Sequence, residues 1–198
     1  MLVRDRHHRY HLDGAIVPSV TQVLRGQLPR YDTPDAKRAM QRGTRVHAWI
    51  AAELRGAAER PALRPGDRPY LDAWDDWWRT HARPVLAVEL LIAHPIGYAG
   101  QVDAVLQGPT GPEAWDWKTG DPADWHGPQL AAYVSALNGQ YRGVTRHNLY
   151  LSPAGHWRPR AQKRPVDIID WWRAFNEYTA VQTGAPDAET EVCPDTAD

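Results

Sequence analysis

Apolar and polar positions divide the chain into short strands and helices. Ala99–Leu106 and Glu113–Trp117 have strand composition and flank Gly108-Pro109-Thr110-Gly111, a turn signal, so they read as a hairpin. Pro84–Ala93 is an apolar strand ahead of it, Val144–Leu151 a fourth main strand behind it, and His156–Arg160 a short partner of the fourth. Asp13-Gly14 centres a smaller hairpin over Tyr10–Val17. Ser19-Val-Thr-Gln22 is a capping-box pattern opening a short helix that ends near Gly26. Thr33-Pro34-Asp35 supplies a cap, a proline at the first helical position and an acid in the first turn, opening a helix that runs to about Arg55-Gly56. A loop over Arg60–Pro69 follows, then helices over Tyr70–His81, Gln129–Asn138 and Val166–Tyr178. This order predicts an α/β (α+β) fold in which helices flank one central mixed sheet. Residues 1–182 are expected to form a single domain, and 183–198 an acidic, disordered tail.

Composition narrows the function classes. With 42% hydrophobic and 24% charged residues, the chain has ordinary globular composition. No apolar run is long enough to span a membrane, and Met1–Arg9 has no apolar signal core, so a cytoplasmic location is the expectation. The only cysteine, Cys193, excludes an internal disulfide and any cysteine-built zinc or iron–sulfur site. The net charge of −1 hides an asymmetry: residues 1–70 hold 13 basic and 7 acidic side chains, and the remainder hold 10 and 17. A basic N-terminal third is compatible with a phosphate-facing surface and equally with uneven surface charge.

The candidate chemistry sits in the hairpin. A fold about Pro109-Thr110 places Asp103 opposite Asp116 and Gln101 opposite Lys118. Side chains alternate along a strand, so Asp116 and Lys118 share a face and Trp117 points away. Two carboxylates across a ladder repel unless a cation lies between them. Oxygen ligands alone suit a hard divalent ion such as Mg2+ or Mn2+. The flanking Val102, Ala104, Val105, Leu106, Ala114 and Trp115 are apolar on both faces, so the sheet should be covered and the carboxylates must find partners. A structural salt-bridge cluster with Lys118 is the competing reading.

Five segments in order carry a resemblance: Arg42-Gly43-Thr44-Arg45-Val46-His47, Glu89, Gly100-Gln101-Val102-Asp103, Asp116-Trp117-Lys118-Thr119-Gly120 and Gln129-Leu-Ala-Ala-Tyr133. Together they resemble the PD-(D/E)XK nuclease superfamily, in its RecB-like branch, over about Ser19–Tyr133. The resemblance implies a restriction-endonuclease-like core. It assigns Asp103 and Asp116 as metal ligands, Lys118 as the catalytic lysine and His47 as the helical ligand, with the backbone carbonyl of Trp117 completing the coordination. Relatives that carry a four-cysteine iron–sulfur cluster are excluded by the cysteine count.

Three further positions stay open on the residues alone. His47 shares a helix face with Met40, Gly43, Thr44, Ile50 and Leu54, which reads as a core face, and Gly43 would let that helix approach another backbone closely. Arg38, Arg42 and Arg45 line the other face, most simply as solvated surface. Glu89 lies in an apolar run, and the parity of the loop His94–Tyr98 decides whether it faces Asp103: four loop residues turn it away, five turn it in. Gln129 and Tyr133 share a helix face and read as a surface pair; the resemblance makes them accessory residues that orient DNA or brace the site. Trp74, Trp77, Trp78, Trp171 and Trp172 have spacing that suits packing better than base stacking. The histidines at 7, 8 and 11 look like an exposed hairpin arm.

The expected function is a metal-dependent deoxyribonuclease using one or two Mg2+ or Mn2+ ions. By analogy it is an exonuclease in recombination or end processing, of the kind a phage carries. The alternatives are a structure-selective endonuclease and a non-catalytic DNA-binding or assembly module that keeps the nuclease fold.

Overall fold

The computed structural model describes residues 1–27, 33–137 and 139–183. The expected tail and the end of the helix at Asn138 therefore lie outside the described residues, apart from Thr183. Strands β1 (Leu2–Arg4), β2 (Tyr10–Leu12) and β3 (Ala15–Val17) form a small antiparallel sheet in that order. Asp13 and Gly14 both take left-handed φ, 50° and 87°, as a tight two-residue hairpin turn requires. Strand β1 was not expected from the sequence, being too short to show a period.

Helix α1 (Val20–Val23) starts at the expected capping box: Gln22 N donates to Ser19 Oγ at 3.0 Å, and Ser19 N to Gln22 Oε1 at 2.7 Å. Helix α2 (Pro34–Leu54) is capped by Thr33 and continues to the expected end, and α3 (Arg68–His81) follows. The main sheet holds β4 (Val85–His94), β5 (Tyr98–Gln107), β6 (Pro112–Lys118), β7 (Thr145–Leu151) and β8 (Trp157–Ala161), side by side in that order. All neighbours are antiparallel except β6 and β7, which are parallel and joined through α4 (His126–Ala136). Helix α5 (Val166–Thr183) closes the described chain.

Helices cover both faces of this mixed sheet. One layer packs Val20, Val102, Val105, Leu130, Trp171 and Phe175, from α1, β5, α4 and α5. The other packs Val46, Ile50, Trp74, Trp77, Trp115 and Leu149, from α2, α3, β6 and β7. Trp74, Trp77 and Trp171 are fully buried, and Trp78 stacks on Trp74, so these rings serve as core. The α2 face reads as core only in part, because Met40 at its start is exposed. Arg45 does not belong to a solvated face. It holds the buried Asp67 carboxylate through two hydrogen bonds of 2.6 and 2.7 Å, clamping α2 to the turn before α3.

Besides a register shift between Val85 and Ala87, the sheet is interrupted where the acidic residues lie. Tyr98 and Val102 pack in the first layer, Ala104 and Leu106 in the second, so the alternation of β5 reverses at Asp103. On β4, pairing runs from Val88–Ala104 to Leu90–Val102 and skips Glu89, whose φ is 53°. A left-handed glutamate is strained, and such backbone gathers at functional positions. The β5–β6 ladder stops at Ala104–Trp115, leaving Asp103 and Asp116 as the first residues beyond it. A notch in the sheet thus carries three acidic positions on three neighbouring strands.

Candidate active site

The register of the hairpin puts Asp103 and Asp116 on neighbouring strands at the mouth of that notch, 9% and 4% exposed. Freed from the ladder, the Asp103 carboxylate takes over a strand contact: Trp117 N donates to its Oδ2 at 2.8 Å. His47 Nδ1 lies 3.2 Å from the same oxygen, brought there by the middle of α2. Gly43, one turn earlier, allows this approach. A Cβ at Gly43 would stand 3.3 Å from Thr119 Oγ1, so the close neighbour is a side chain rather than the expected backbone.

Asp116 is held from another side. Its Oδ2 accepts from Lys118 Nζ at 2.6 Å and from Asn148 Nδ2 at 2.7 Å. Asn148 faces Asp116 across the parallel β6–β7 pair, and its Oδ1 accepts from Gln162 Nε2 at 2.7 Å. Lys118 Nζ also donates to Gln129 Oε1 at 2.7 Å and lies 4.9 Å from the Trp125 ring centre. Gln129 Nε2 in turn donates to Tyr133 Oη at 3.1 Å. Gln129 and Tyr133 are buried, which corrects the surface-pair reading: α4 is packed on the sheet, and these two side chains brace the lysine. Gly100 makes room for the brace, since a Cβ there would lie 2.7 Å from the Tyr133 ring.

Glu89 falls opposite Asp103, because His94 pairs with Tyr98 and leaves a three-residue loop, which has the same odd parity as the five-residue count that turns Glu89 in. Its carboxylate accepts from Gln101 Nε2 and makes no hydrogen bond to Asp103. Neither Asn148 nor Gln162 was singled out in the sequence. An asparagine inside the apolar run Asn148–Leu151 was the one signal that could have pointed to them.

Electrostatics ties the acids together. Burial pushes the Asp116 carboxyl above the usual range and the charge of Asp103 adds to the rise, against the pull of Lys118 and His47. Burial likewise raises Glu89, again with Asp103 adding to it. Burial would lower His47, but the carboxylates of Asp103 and Asp116 outweigh it and hold the imidazole at about 9. Burial and the same two carboxylates raise Tyr133 well above its ordinary value. Below Lys118, burial and the lysine's charge depress His126 to about 3. Its Nδ1 accepts from Ala123 N at 3.3 Å and lies 2.9 Å from Tyr150 Oη.

A hard divalent cation fits this donor set in kind. Mg2+ keeps several waters and is typically held by one or two carboxylates rather than by a full protein cage. Two buried, mutually repelling carboxylates are what such an ion relieves. Among the described residues no three His, Cys, Asp or Glu side chains converge as a ready ligand cluster. The structure thus joins His47 to Asp103 and Lys118 to Asp116, without gathering His47, Asp103 and Asp116 about one point.

No protein-family model matches the sequence, and no curated protein does. Among solved structures, the chain is similar to an alkaline exonuclease, LHK-Exo from Laribacter hongkongensis, with 14% identity and a TM-score of 0.45 over 84% of this chain and 87% of that one. For LHK-Exo in complex with dAMP the values are 12% and 0.41, over 85% and 88%. Similarities of this size assign neither a family nor an activity to the chain.

Proposed function

We propose that this chain is a metal-dependent DNA nuclease of the PD-(D/E)XK type, in its RecB-like branch. One observation carries the reading: two buried carboxylates on neighbouring strands, Asp103 and Asp116, with Lys118 hydrogen-bonded to the second. Structural ion pairs alone, His47 with Asp103 and Lys118 with Asp116, would not need the two acids side by side, where the charge of Asp103 adds to the rise that burial causes in Asp116.

In this reading Asp103, Asp116 and His47, with the carbonyl of Trp117, would hold Mg2+ or Mn2+. When bound, such an ion would supply Lewis-acid polarisation of the scissile phosphate and a more acidic water. Lys118 Nζ lies against the Asp116 carboxylate and the Gln129 amide oxygen, and its work in this reading is to hold negative charge on the phosphate and to orient the attacking water. Asn148 and Gln129 fix the positions of Asp116 and Lys118. The water oxygen forms a bond to phosphorus as the bridging P–O bond breaks, and the proton that the water gives up to solvent balances the one that the departing oxygen takes from solvent. An exonuclease of recombination or end processing is the favoured form of the activity.

The test is incubation of the protein with linear and with circular DNA, with and without Mg2+ or Mn2+. Metal-dependent loss of linear DNA alone supports an exonuclease, and cutting of circles an endonuclease. Binding without cleavage of either, with both metals tried, rejects the enzyme in favour of a DNA-binding module.

A further inference from the structure

Beside the notch lies a groove of about 390 Å3, with Arg4, Ala48, Arg55, Glu89 and Gln101 in its lining. That is within the size of small-ligand sites, roughly 300–1,000 Å3. The groove adjoins the candidate site directly: Ala48 follows His47 in α2, and Glu89 lies opposite Asp103. Its walls come from parts of the chain far apart in sequence, namely β1, the C-terminal end of α2, and the β4–β5 pair.

Two arginines, Arg4 and Arg55, line it. Arg4 donates through Nη1 to Gln101 Oε1, and its Nη2 contacts His8 Nδ1. Arg4 Nε is buried and has no hydrogen-bond partner among the described residues. A buried donor without an acceptor is costly, by about 1–3 kcal/mol or more for a charged group, and calls for an explanation. Arg55 donates through Nη2 to the carbonyl of Val88 at 3.3 Å, leaving most of its fork unused among the described residues. The β1–β2 turn next to Arg4 adds the exposed Arg6, His7, His8 and Arg9. The Glu89 carboxylate also lines the groove and accepts from Gln101 Nε2, the same side chain that accepts from Arg4.

The geometry points to a phosphate subsite: this groove holds a backbone phosphate of the DNA strand adjacent to the one being cut, with Arg4 and Arg55 as positioning residues. The inference rests on the nuclease reading above. Planar guanidinium forks match the oxygens of a phosphate, and the groove adjoins the notch at Glu89. A purely structural role, in which the arginines only offset the charge of Glu89, would make no difference to how DNA binding depends on salt.

The experiment measures fluorescence anisotropy of an internally labelled short duplex and a short single strand, with the full chain in EDTA over a salt series. Wild type is compared with Arg4→Gln, Arg55→Ala, the charge-keeping Arg55→Lys, and Arg173→Ala on α5 across the sheet. Arg4→Gln and Arg55→Ala should weaken binding and lower the slope of log affinity against log salt by one phosphate contact, roughly 0.9 for duplex or 0.7 for single strand. Arg55→Lys and Arg173→Ala should keep the wild-type slope. Thermal unfolding checks each variant, and if Arg4→Gln fails to fold, the Arg55 pair decides. Groove variants with wild-type affinity and slope overturn the subsite and leave the nuclease reading standing. A wild type that neither binds nor cuts DNA overturns both.

Discussion

Lys118 and Asn148 meet on a single oxygen of Asp116, at 2.6 and 2.7 Å. The lysine comes from the same strand and the asparagine from the parallel neighbour, so the carboxylate is fixed along both directions of the sheet. Its other oxygen takes part in neither contact. Buried charge held this way is preorganised, and the groups around it divide into those that act on substrate and those that keep the first in place.

Lys118→Ala and Asp116→Ala should each reduce cleavage by at least about a hundredfold, the effect of removing one preorganised charge from a transition state. Both proteins should still unfold cooperatively on heating. A variant that cuts at the wild-type rate would show that the site has been misassigned.

Asn148→Ala should cost about 1–3 kcal/mol of stability, because Gln162 loses an acceptor and Asp116 a donor in a buried place. It should also lower the turnover rate more than the apparent affinity for DNA, since Asp116 is then free to follow Lys118. Urea unfolding and steady-state cleavage test the two halves separately.

Gly100→Ala should destabilise by about 1–3 kcal/mol, because its methyl would lie 2.7 Å from the Tyr133 ring in a closed layer. In a Tyr133→Ala background the same substitution should cost much less. A double-mutant cycle measures the difference, and additive costs would mean that the ring is not what excludes the methyl.

Stability should depend on pH through His126. Its folded value of about 3 lies below the ordinary 6.5, so between these pH values the unfolded chain binds a proton that the folded chain refuses. The contribution is complete above 6.5 and is lost as pH falls toward 3. His126→Gln removes that part of the slope. Urea midpoints taken across this range should fall more steeply for the wild type than for the variant as the pH is lowered.

The chain's own order of residues determined most of the local structure. The capping box at Ser19, the start of α2 at Thr33-Pro34 and the turn at Asp13-Gly14 are set by contacts within four residues, and all form as the sequence predicts. The β5–β6 register is local too. A short turn at Gly108–Gly111 leaves one way to align two strands buried on both faces, so Asp103 and Asp116 had to become neighbours. Tertiary structure decided what no local period encodes. It brought Asn148 against Asp116 through a parallel crossover, buried Gln129 and Tyr133 under the sheet, and turned Glu89 into left-handed backbone opposite Asp103. It also laid β1 beside the notch, so that Arg4 reaches Gln101 across 97 positions of sequence. The physical reason is common to all four. Burial and charge pairing between distant segments depend on how whole layers pack, and the pattern of apolar positions records only which side of each element faces inward.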